Sequence, residues 1–241
     1  MDKKIKPVHI KLKRGDIAER VLIAGDPDRI DNISHLLTKP RLLNRYRYTV
    51  YTGEYKGKKV SLASHGIGAP SIAIAVEELH ALGGRSFIRL GTCGGALKDQ
   101  KYGDLIIPDS AIYSGGGTIG EYGFKSRFEF PPDKALTDAV INNVKKSGKR
   151  YTVGPVFSSA AFYEENRLME RIRKKIVGIE MECATLFMLG ELRKFRTASL
   201  LVVVDIERKD TKKMQFMPIS EMHRISKEAA LIALDSLIET K

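Results

Sequence analysis

The chain has 241 residues, of which 43% are hydrophobic and 29% are charged, and its formal net charge is +12. This length suits one α/β domain with a full core, and no apolar run reaches the roughly 18 residues that a membrane span requires. The first 16 residues contain no apolar stretch typical of a secretory signal, and the two cysteines, Cys93 and Cys183, show no disulfide spacing. We therefore expect a single cytoplasmic domain over residues 1–241.

The excess of basic residues suits either a nucleic-acid-binding protein or an enzyme with anionic substrates. Lysine and arginine are scattered, with short clusters at 145–150 and 171–175. No basic tail, zinc-ligand spacing or RNA-binding aromatic motif accompanies them. We interpret the clusters as solvated surface, and a basic nucleic-acid-binding protein remains the alternative from a different functional class.

Short β-branched runs alternate along the chain with longer stretches of helical periodicity. The predicted strands are RVLIAG, KVSLAS, SFIRLG, DLIIPD and ASLLVVVD, and the predicted helices span residues 70–82, 132–145, 181–192 and 220–238. Continuous apolar strands are typical of a sheet that is covered on both faces. The pattern predicts an α/β fold with mostly parallel strands, and it places the glutamate pair at 77–78 on an exposed helix face.

The first predicted strand ends in GDPDR, where Gly25 precedes the turn and Arg29 follows it. A turn needs glycine or proline, but it does not need arginine. The stretch RLGTCGG is similar, since Arg89 lies in an apolar strand and Thr92 follows in a predicted glycine-rich turn. Backbone N–H groups, a hydroxyl and a guanidinium suit a phosphate ion. Alone, Arg89 is equally suited to pairing with a carboxylate, but together the two stretches indicate an anion site.

The stretch HGIGAPS lies between a predicted strand and a predicted helix, as a dinucleotide-binding fingerprint does. Gly66 and Gly68 match that fingerprint, but Ser71 stands at the third glycine position and no acidic residue closes the following strand. We interpret the glycines as allowing strand and helix to approach closely. Nicotinamide or flavin binding is the alternative.

Two acidic stretches complete the set of candidate site residues. In GIEMECATLF, Glu180 and Glu182 flank Met181 at a predicted strand-to-helix junction. Carboxylates two residues apart on an extended segment point the same way and can accept hydrogen bonds from a diol, although a helix first turn enriched in glutamate explains them as well. Asp205 ends the apolar run VVVD, where it either lines a ligand crevice or caps a helix.

These stretches, in this order, resemble the nucleoside phosphorylase family, which includes hexameric purine nucleoside phosphorylases, methylthioadenosine phosphorylases and uridine phosphorylases. The resemblance covers nearly the whole chain, through PVHI, GDPDR, VYTGEYKG, SHGIGAPS, IRLGTCGG, VFSSAAFY, GIEMECATLF and VVVD. It implies a single-domain, three-layer α/β/α fold with a mixed central sheet. It also implies that no cofactor or metal is needed and that inorganic phosphate is a co-substrate.

The resemblance implies a role for each candidate residue. The implied phosphate ligands are Gly25, Arg29, Arg89, Thr92 and, from a neighbouring subunit, Arg45, with Arg47 in reserve. The implied ribose ligands are His9, Glu180, Met181 and Glu182, of which His9 reaches across a dimer contact to the ribose 5′ end. The implied base ligands are Phe162 and Ile179. Asp205 would protonate purine N7, with Arg208 as the candidate to assist it. Such a site needs two chains, which implies a homo-oligomer, expected to be a hexamer built from dimers.

The implied reaction is reversible phosphorolysis of a nucleoside to free base and (deoxy)ribose 1-phosphate, as in purine salvage. Nucleosidases of the same fold use water and lack the phosphate arginines, so Arg29 and Arg89 favour phosphate. Uridine phosphorylases read the pyrimidine with a glutamine and an arginine in the loop after the VFSS-like strand, whereas the glutamines here are Gln100 and Gln215. Purine nucleosides are therefore the expected substrates, with uridine and methylthioadenosine phosphorylase as the alternatives.

Overall fold

The computed structural model describes residues 5–114, 117–124, 128–163, 176–207 and 214–240. The strands are β1 (Arg20–Ala24), β2 (Thr38–Asn44), β3 (Val50–Tyr55), β4 (Lys58–Ser64), β5 (Ser86–Gly95), β6 (Leu105–Ile112), β7 (Glu129–Phe130), β8 (Tyr151–Ser158), β9 (Gly178–Glu180), β10 (Arg196–Glu207) and β11 (Met214–Phe216). The helices of this part of the chain are α1 (Pro27–Ser34), α2 (Ala69–Leu82), α3 (Gly117–Glu121), α4 (Lys134–Ser147), α5 (Cys183–Arg193) and α6 (Ile219–Glu239).

The strands form one mixed sheet in the order β11-β10-β6-β8-β9-β5-β1-β4-β3-β2, with β7 paired to β6. Strands β4, β1, β5 and β10 run parallel to one another, while β2–β3–β4 is an antiparallel meander. A further pairing joins β5 to β10, so β5, β10, β6, β8 and β9 close on themselves as a five-stranded ring. The predicted mixed central sheet is confirmed, and part of it is curved into a barrel-like ring.

Helices cover both faces of the sheet, which confirms the predicted three layers. Side chains alternate along β1, so that Val21 and Ile23 pack with α2 and α5 while Leu22 and Ala24 pack with α1, α4 and α6. Each face therefore has its own apolar core. This double burial explains why the sequence of the central strands shows no polar alternation.

Local sequence signals set the helix boundaries. The Asp26 side chain accepts a hydrogen bond from the N–H of Asp28 at 2.9 Å and so caps α1, with Pro27 in the first helical position. The Gly-Asp-Pro sequence thus stops a strand and starts a helix that the periodicity did not predict. Asp133 caps α4 in the same way. The predicted helices at 70–82, 132–145, 181–192 and 220–238 are confirmed within two residues at each end.

The prediction of a glycine-rich turn at RLGTCGG was wrong. Residues 86–95 form the continuous strand β5, whose backbone pairs with β10 as far as Gly94 and with β9 at Gly94 and Gly95. The N–H groups expected to form an anion nest therefore lie in a strand with neighbours on both sides. The glycines have a different function here, because they make room for side chains of the candidate site.

No helix in the described part of the chain is long and apolar enough to cross a membrane.

Candidate active site

The carboxyl ends of the parallel strands β1, β4, β5 and β10 meet at one edge of the sheet, and most of the candidate residues lie there. Gly25 follows β1, and its backbone carbonyl accepts a hydrogen bond from the N–H of Gly66 after β4 at 3.0 Å. A Cβ on Gly25 would lie 3.0 Å from the Gly66 carbonyl oxygen, so the glycine permits this close approach. The GDPDR and HGIGAPS segments are therefore in direct contact.

Arg29 and Arg89 bring two buried guanidinium groups to this edge. Arg29 is 8% exposed, and its Nη1 donates to the carbonyl of Leu90 on β5 at 3.2 Å. Burial lowers the pKa of Arg29, and the positive charge of Arg89 lowers it further. Two neighbouring buried cations in a low-dielectric environment form a favourable site for an anion.

Arg89 forms a buried ion pair with Glu182. Its Nη2 also lies 3.4 Å from Oε2 of Glu180, and its Nε has no hydrogen-bond partner in the described structure. Burial by itself lowers the pKa of Arg89, but the surrounding groups, Glu182 foremost and then Cys183 and Glu180, together outweigh burial and raise that pKa above its usual value. A Cβ on Gly91 would lie 2.6 Å from the Arg89 Cζ, so this glycine gives the guanidinium its space.

The second oxygen of Glu182 accepts a hydrogen bond from the backbone N–H of Gly68 at 2.6 Å. Gly68 has a φ of 84° and stands at the N-cap of α2, a conformation that favours glycine. The HGIGAPS turn therefore holds a carboxylate of the site. This geometry supports the structural interpretation of these glycines over dinucleotide binding.

Glu180 stabilises the start of α5. Its Oε2 accepts hydrogen bonds from the N–H groups of Glu182 at 2.8 Å and Cys183 at 2.9 Å, and its Oε1 accepts one from the Ser158 hydroxyl. The interpretation as a helix first turn is therefore supported for Glu180, and binding of a diol stays a prediction. One glutamate satisfies a helix N-terminus, and the other, Glu182, contacts Arg89.

Asp205 lies inside β10, opposite Gly94 of β5 and Phe216 of β11, so it is not a helix N-cap. A Cβ on Gly94 would lie 2.6 Å from the Asp205 Oδ2, which explains the need for glycine at that position. Burial raises the pKa of the Asp205 carboxyl above its usual range. A carboxyl that retains its proton more readily is suited to general-acid chemistry. Arg208, the candidate to assist it, lies outside the described residues.

The remaining predicted ligands differ in their position relative to Asp205 and Arg89 and in their burial. Ile179 pairs with Gly94 across β9 and β5, and so lies beside the glycine that adjoins Asp205. Because β5 pairs regularly with β10, its side chains alternate between the two faces of the sheet. The Thr92 side chain therefore leaves the strand on the face opposite to that of Arg89. Met181 is half-buried at the junction between β9 and α5. Phe162 is 63% exposed and contacts the ring of Tyr163.

The residues assigned to a subunit contact have partners elsewhere on the chain surface. Arg45 donates two hydrogen bonds to the Asp31 carboxylate, at 2.9 and 3.0 Å, and this pair is exposed. The Arg47 guanidinium lies 5.4 Å from the centroid of the Tyr46 ring. His9 is held by Glu78, through a contact of 2.8 Å between Nδ1 and Oε1. Within the single chain, Arg45, Arg47 and His9 therefore do not contact Arg29, Arg89 or Glu182.

Two buried residues near the candidate ligands were missed by the sequence analysis. His65 is fully buried, and burial, followed by the charge of Arg89, lowers its pKa to about 3, so the ring is neutral at ordinary pH. Neither ring nitrogen has a hydrogen-bond partner in the described structure. Glu78 was predicted to be exposed but is 5% exposed. The signal for both was present, since a histidine precedes the glycine motif and two adjacent acids interrupt an otherwise apolar helix.

The arrangement can therefore hold an anion at Arg29 and Arg89, a hydroxyl-bearing group at Glu182 and a proton-accepting group at Asp205. Among the residues that the structure describes, no group of three or more His, Cys, Asp or Glu side chains is placed to hold a metal ion.

Comparison with known proteins gives a consistent family. Residues 19–239 match the family model of the phosphorylase superfamily. The chain is 36% identical over 213 residues to a uridine phosphorylase of Thermococcus kodakarensis, a match that covers 81% of this chain and 76% of that protein. It is 34% identical over 232 residues to a DeoD-type purine nucleoside phosphorylase of Limosilactobacillus reuteri, covering 92% of this chain and 98% of that protein.

The solved structures agree with the sequence relatives. A uridine phosphorylase from Vibrio fischeri superposes with a TM-score of 0.86 at 29% identity, and the match covers 98% of this chain and 97% of that chain. The similar proteins therefore include enzymes named for pyrimidine nucleosides and enzymes named for purine nucleosides.

Proposed function

The chain belongs to the phosphorylase superfamily, and from that premise we propose that it catalyses the reversible phosphorolysis of purine nucleosides to free base and (deoxy)ribose 1-phosphate. The enzyme is a pentosyltransferase of the nucleoside phosphorylase kind. The observation that carries the purine assignment is the position of Asp205 together with the raised pKa of its carboxyl. Its carboxyl has a raised pKa beside Gly94, and a purine N7 is a base that needs a proton before the ring can leave.

Phosphate is proposed to bind between Arg29 and Arg89, with Gly25 as a further ligand and with Thr92, on the other face of β5, completing the site near the end of that strand. The two guanidinium groups are buried, and charged hydrogen bonds to phosphate are strong in such an environment. A bound anion at this edge of the sheet would lie close to the carboxylate of Glu182. Phosphate and ribose would therefore be held next to each other by residues that are already in contact.

Catalysis is proposed to depend on charge stabilisation and positioning. As the glycosidic bond lengthens, positive charge builds up on the ribose, and the bound phosphate anion stabilises it. Glu182 would hold the 2′ and 3′ hydroxyls, with Glu180 beside it and Met181 packed on the sugar. Hydrogen bonds to a hydroxyl next to the reacting carbon can strengthen in such a transition state.

The complete site is proposed to need a second subunit, which would supply Arg45 to the phosphate and His9 to the ribose 5′ end. Arg47 is the reserve for Arg45. The Arg45–Asp31 pair is exposed and therefore weak, so Arg45 can exchange Asp31 for a phosphate on a neighbour. We expect a homo-oligomer, a hexamer of three dimers.

Phe162 and Ile179 would line the base pocket. The cytoplasm is the proposed compartment, since Cys93 and Cys183 are free and buried.

Uridine phosphorylase is the second candidate, because the relative from Thermococcus kodakarensis carries that name at 36% identity. Against it, Asp205 could protonate N7 of a purine, whereas uracil has no equivalent nitrogen for it to protonate. A panel of inosine, guanosine, adenosine, methylthioadenosine and uridine, each assayed by ultraviolet absorbance with and without phosphate, separates the candidates. Phosphate-dependent cleavage of uridine alone would contradict the purine assignment, and cleavage of no nucleoside would remove the proposed activity and favour the nucleic-acid-binding alternative.

A further inference from the structure

The N-terminal segment around His9 is held by a single carboxylate, that of Glu78 on α2. The N–H groups of Val8, His9 and Ile10 donate to its two oxygens at 3.0, 3.0 and 2.8 Å. The His9 ring adds a fourth contact, 2.8 Å from Nδ1 to Oε1. An ionised carboxylate offers about four lone-pair positions. Glu78 therefore spends its whole hydrogen-bonding capacity on this segment.

The environment of Glu78 requires the histidine to donate. Burial raises the pKa of Glu78, but the hydrogen bonds from His9 and the backbone outweigh that effect, and the net pKa is lowered. The ionised carboxylate can only accept, so the Nδ1 of His9 carries the proton. Glu77, the neighbouring buried glutamate, differs in having an arginine partner, since its Oε1 lies 2.8 Å from the Arg193 Nη2.

With the proton on Nδ1, the Nε2 of a neutral His9 ring is a hydrogen-bond acceptor. No donor from the described residues reaches it, and the side chain is 39% exposed, next to the exposed Val8. An acceptor fixed in this way on the surface selects a partner that offers an O–H or N–H group.

We propose that Glu78 is a positioning residue that fixes His9 as an acceptor for the ribose 5′-hydroxyl, so that the enzyme favours nucleosides carrying this hydroxyl. The inference rests on the proposed function, in which His9 approaches the ribose 5′ end. Nucleosides with a 5′-methylthio group or a 5′-deoxy carbon lack the donor. Glu78 thereby selects against methylthioadenosine as a substrate, whichever base the enzyme accepts.

The experiment compares a nucleoside with its 5′-methylthio analogue, for example adenosine with methylthioadenosine or uridine with 5′-methylthiouridine, by kcat/KM. We expect the wild-type enzyme to prefer the hydroxylated substrate by about 3- to 10-fold, the range of one neutral hydrogen bond. Glu78→Gln should bring this ratio toward one, because the new amide can donate to Nδ1 and permit the opposite tautomer, whose Nε2–H can donate to the thioether sulfur as well as to the hydroxyl oxygen. Combining it with His9→Phe should reduce the ratio no further than His9→Phe alone.

Glu77→Gln is the matched control, since it alters an adjacent buried glutamate that does not touch His9. It should leave the 5′ preference unchanged even where it lowers stability. A wild-type preference that persists in Glu78→Gln, or no preference in the wild type, would overturn the proposal and leave the proposed function standing. Cleavage of no nucleoside by the wild type would overturn both.

A direct measurement covers the case in which Glu78→Gln does not fold. Histidine-selective ¹⁵N labelling of the wild-type enzyme, with the His9 signals assigned by His9→Phe, reports which ring nitrogen carries the proton. A proton on Nδ1 alone supports the proposal. A proton on Nε2, with or without one on Nδ1, would overturn it.

Discussion

The Arg89 guanidinium and the Glu182 carboxylate form an ion pair in which the side chains are only 5% and 6% exposed. The proposed phosphate ligand and the proposed ribose ligand are therefore each other's counter-charge. A phosphate that binds Arg89 must share it with Glu182, and removal of either residue leaves a buried charge uncompensated. Substitutions at the two positions are thus expected to be coupled.

Arg89→Met should lower the free energy of unfolding by about 3–5 kcal/mol, because it leaves the Glu182 charge buried and unpaired. The double variant Arg89→Met/Glu182→Gln should recover more than half of that loss, since the amide still accepts from Gly68. Both variants should lack phosphorolysis activity. Urea unfolding and a phosphate-dependent assay test this, and additive losses of stability would contradict the coupling.

Asp205→Asn should lower turnover on ordinary purine nucleosides by roughly 10²–10⁴-fold, the contribution of a general acid. On 7-methylguanosine the loss should be much smaller, because that base is already cationic and leaves without a proton. Steady-state kinetics on both substrates is the measurement. Equal losses in a folded oligomer would show that Asp205 is not the acid, and would favour the uridine alternative.

The same variant should be more stable than the wild type at neutral pH. The folded-state pKa of Asp205 is raised by burial, so the native protein binds this proton more tightly than the unfolded chain, where the pKa is about 3.9. Wild-type stability is therefore expected to fall as pH rises from about 4 through the folded pKa, by about 1.4 kcal/mol for each tenfold change in proton affinity. Thermal unfolding from pH 4 to 8 should show the advantage of Asp205→Asn shrinking toward pH 4; a constant difference would contradict this origin.

Gly94→Ala should displace the Asp205 carboxyl, because the new methyl group would lie 2.6 Å from its Oδ2. We expect a loss of turnover together with about 1–3 kcal/mol of stability, the usual cost of overpacking. Gly120→Ala is the control, since a Cβ there meets nothing within 4 Å. Similar kinetics for the two variants would contradict the proposed function of Gly94 as the space for Asp205.

Arg45→Ala should raise the apparent KM for phosphate by about 10- to 100-fold, as expected for the loss of a charged hydrogen bond, and leave subunit stability nearly unchanged. Arg47→Ala is the parallel variant, and a larger effect there would reassign the role. Light scattering tests the assembly on which both depend. A monomer that remains fully active would contradict a site shared between subunits.

Much of the candidate site could be predicted because its residues lie within or shortly after apolar runs that are followed by glycine or acid, and such runs are readable from the sequence. Arg29, Arg89, Glu182 and Asp205 were found in this way. The reason for each glycine could not be found, because Gly94 makes room for a side chain 111 positions further along the chain. Such space is a property of the packed sheet.

The glutamate pair on α2 is visible in the sequence as an interruption of an apolar helix, but the partners that allow its burial are not. Two adjacent acids on a helix ordinarily face water, and their partners, Arg193 and the backbone of residues 8–10, are distant in sequence. The five-stranded ring is similar, since it is closed by β9, a strand of three residues that is too short to show a period. Both the burial of the glutamate pair and the closure of the ring depend on contacts between segments that are distant in sequence.

Helix α2 joins two of these features in a fixed geometry. At its start the N–H of Gly68 holds Glu182, and in its third turn Glu78 holds His9. Ten residues of helix separate them, a rigid distance of about 15 Å. If His9 enters a neighbour's site, α2 is a stiff connection between the ribose of one subunit and the ribose of the next. The two ribose sites of a dimer would then be built on the same helix, and a substitution that shifts α2 should disturb both of them.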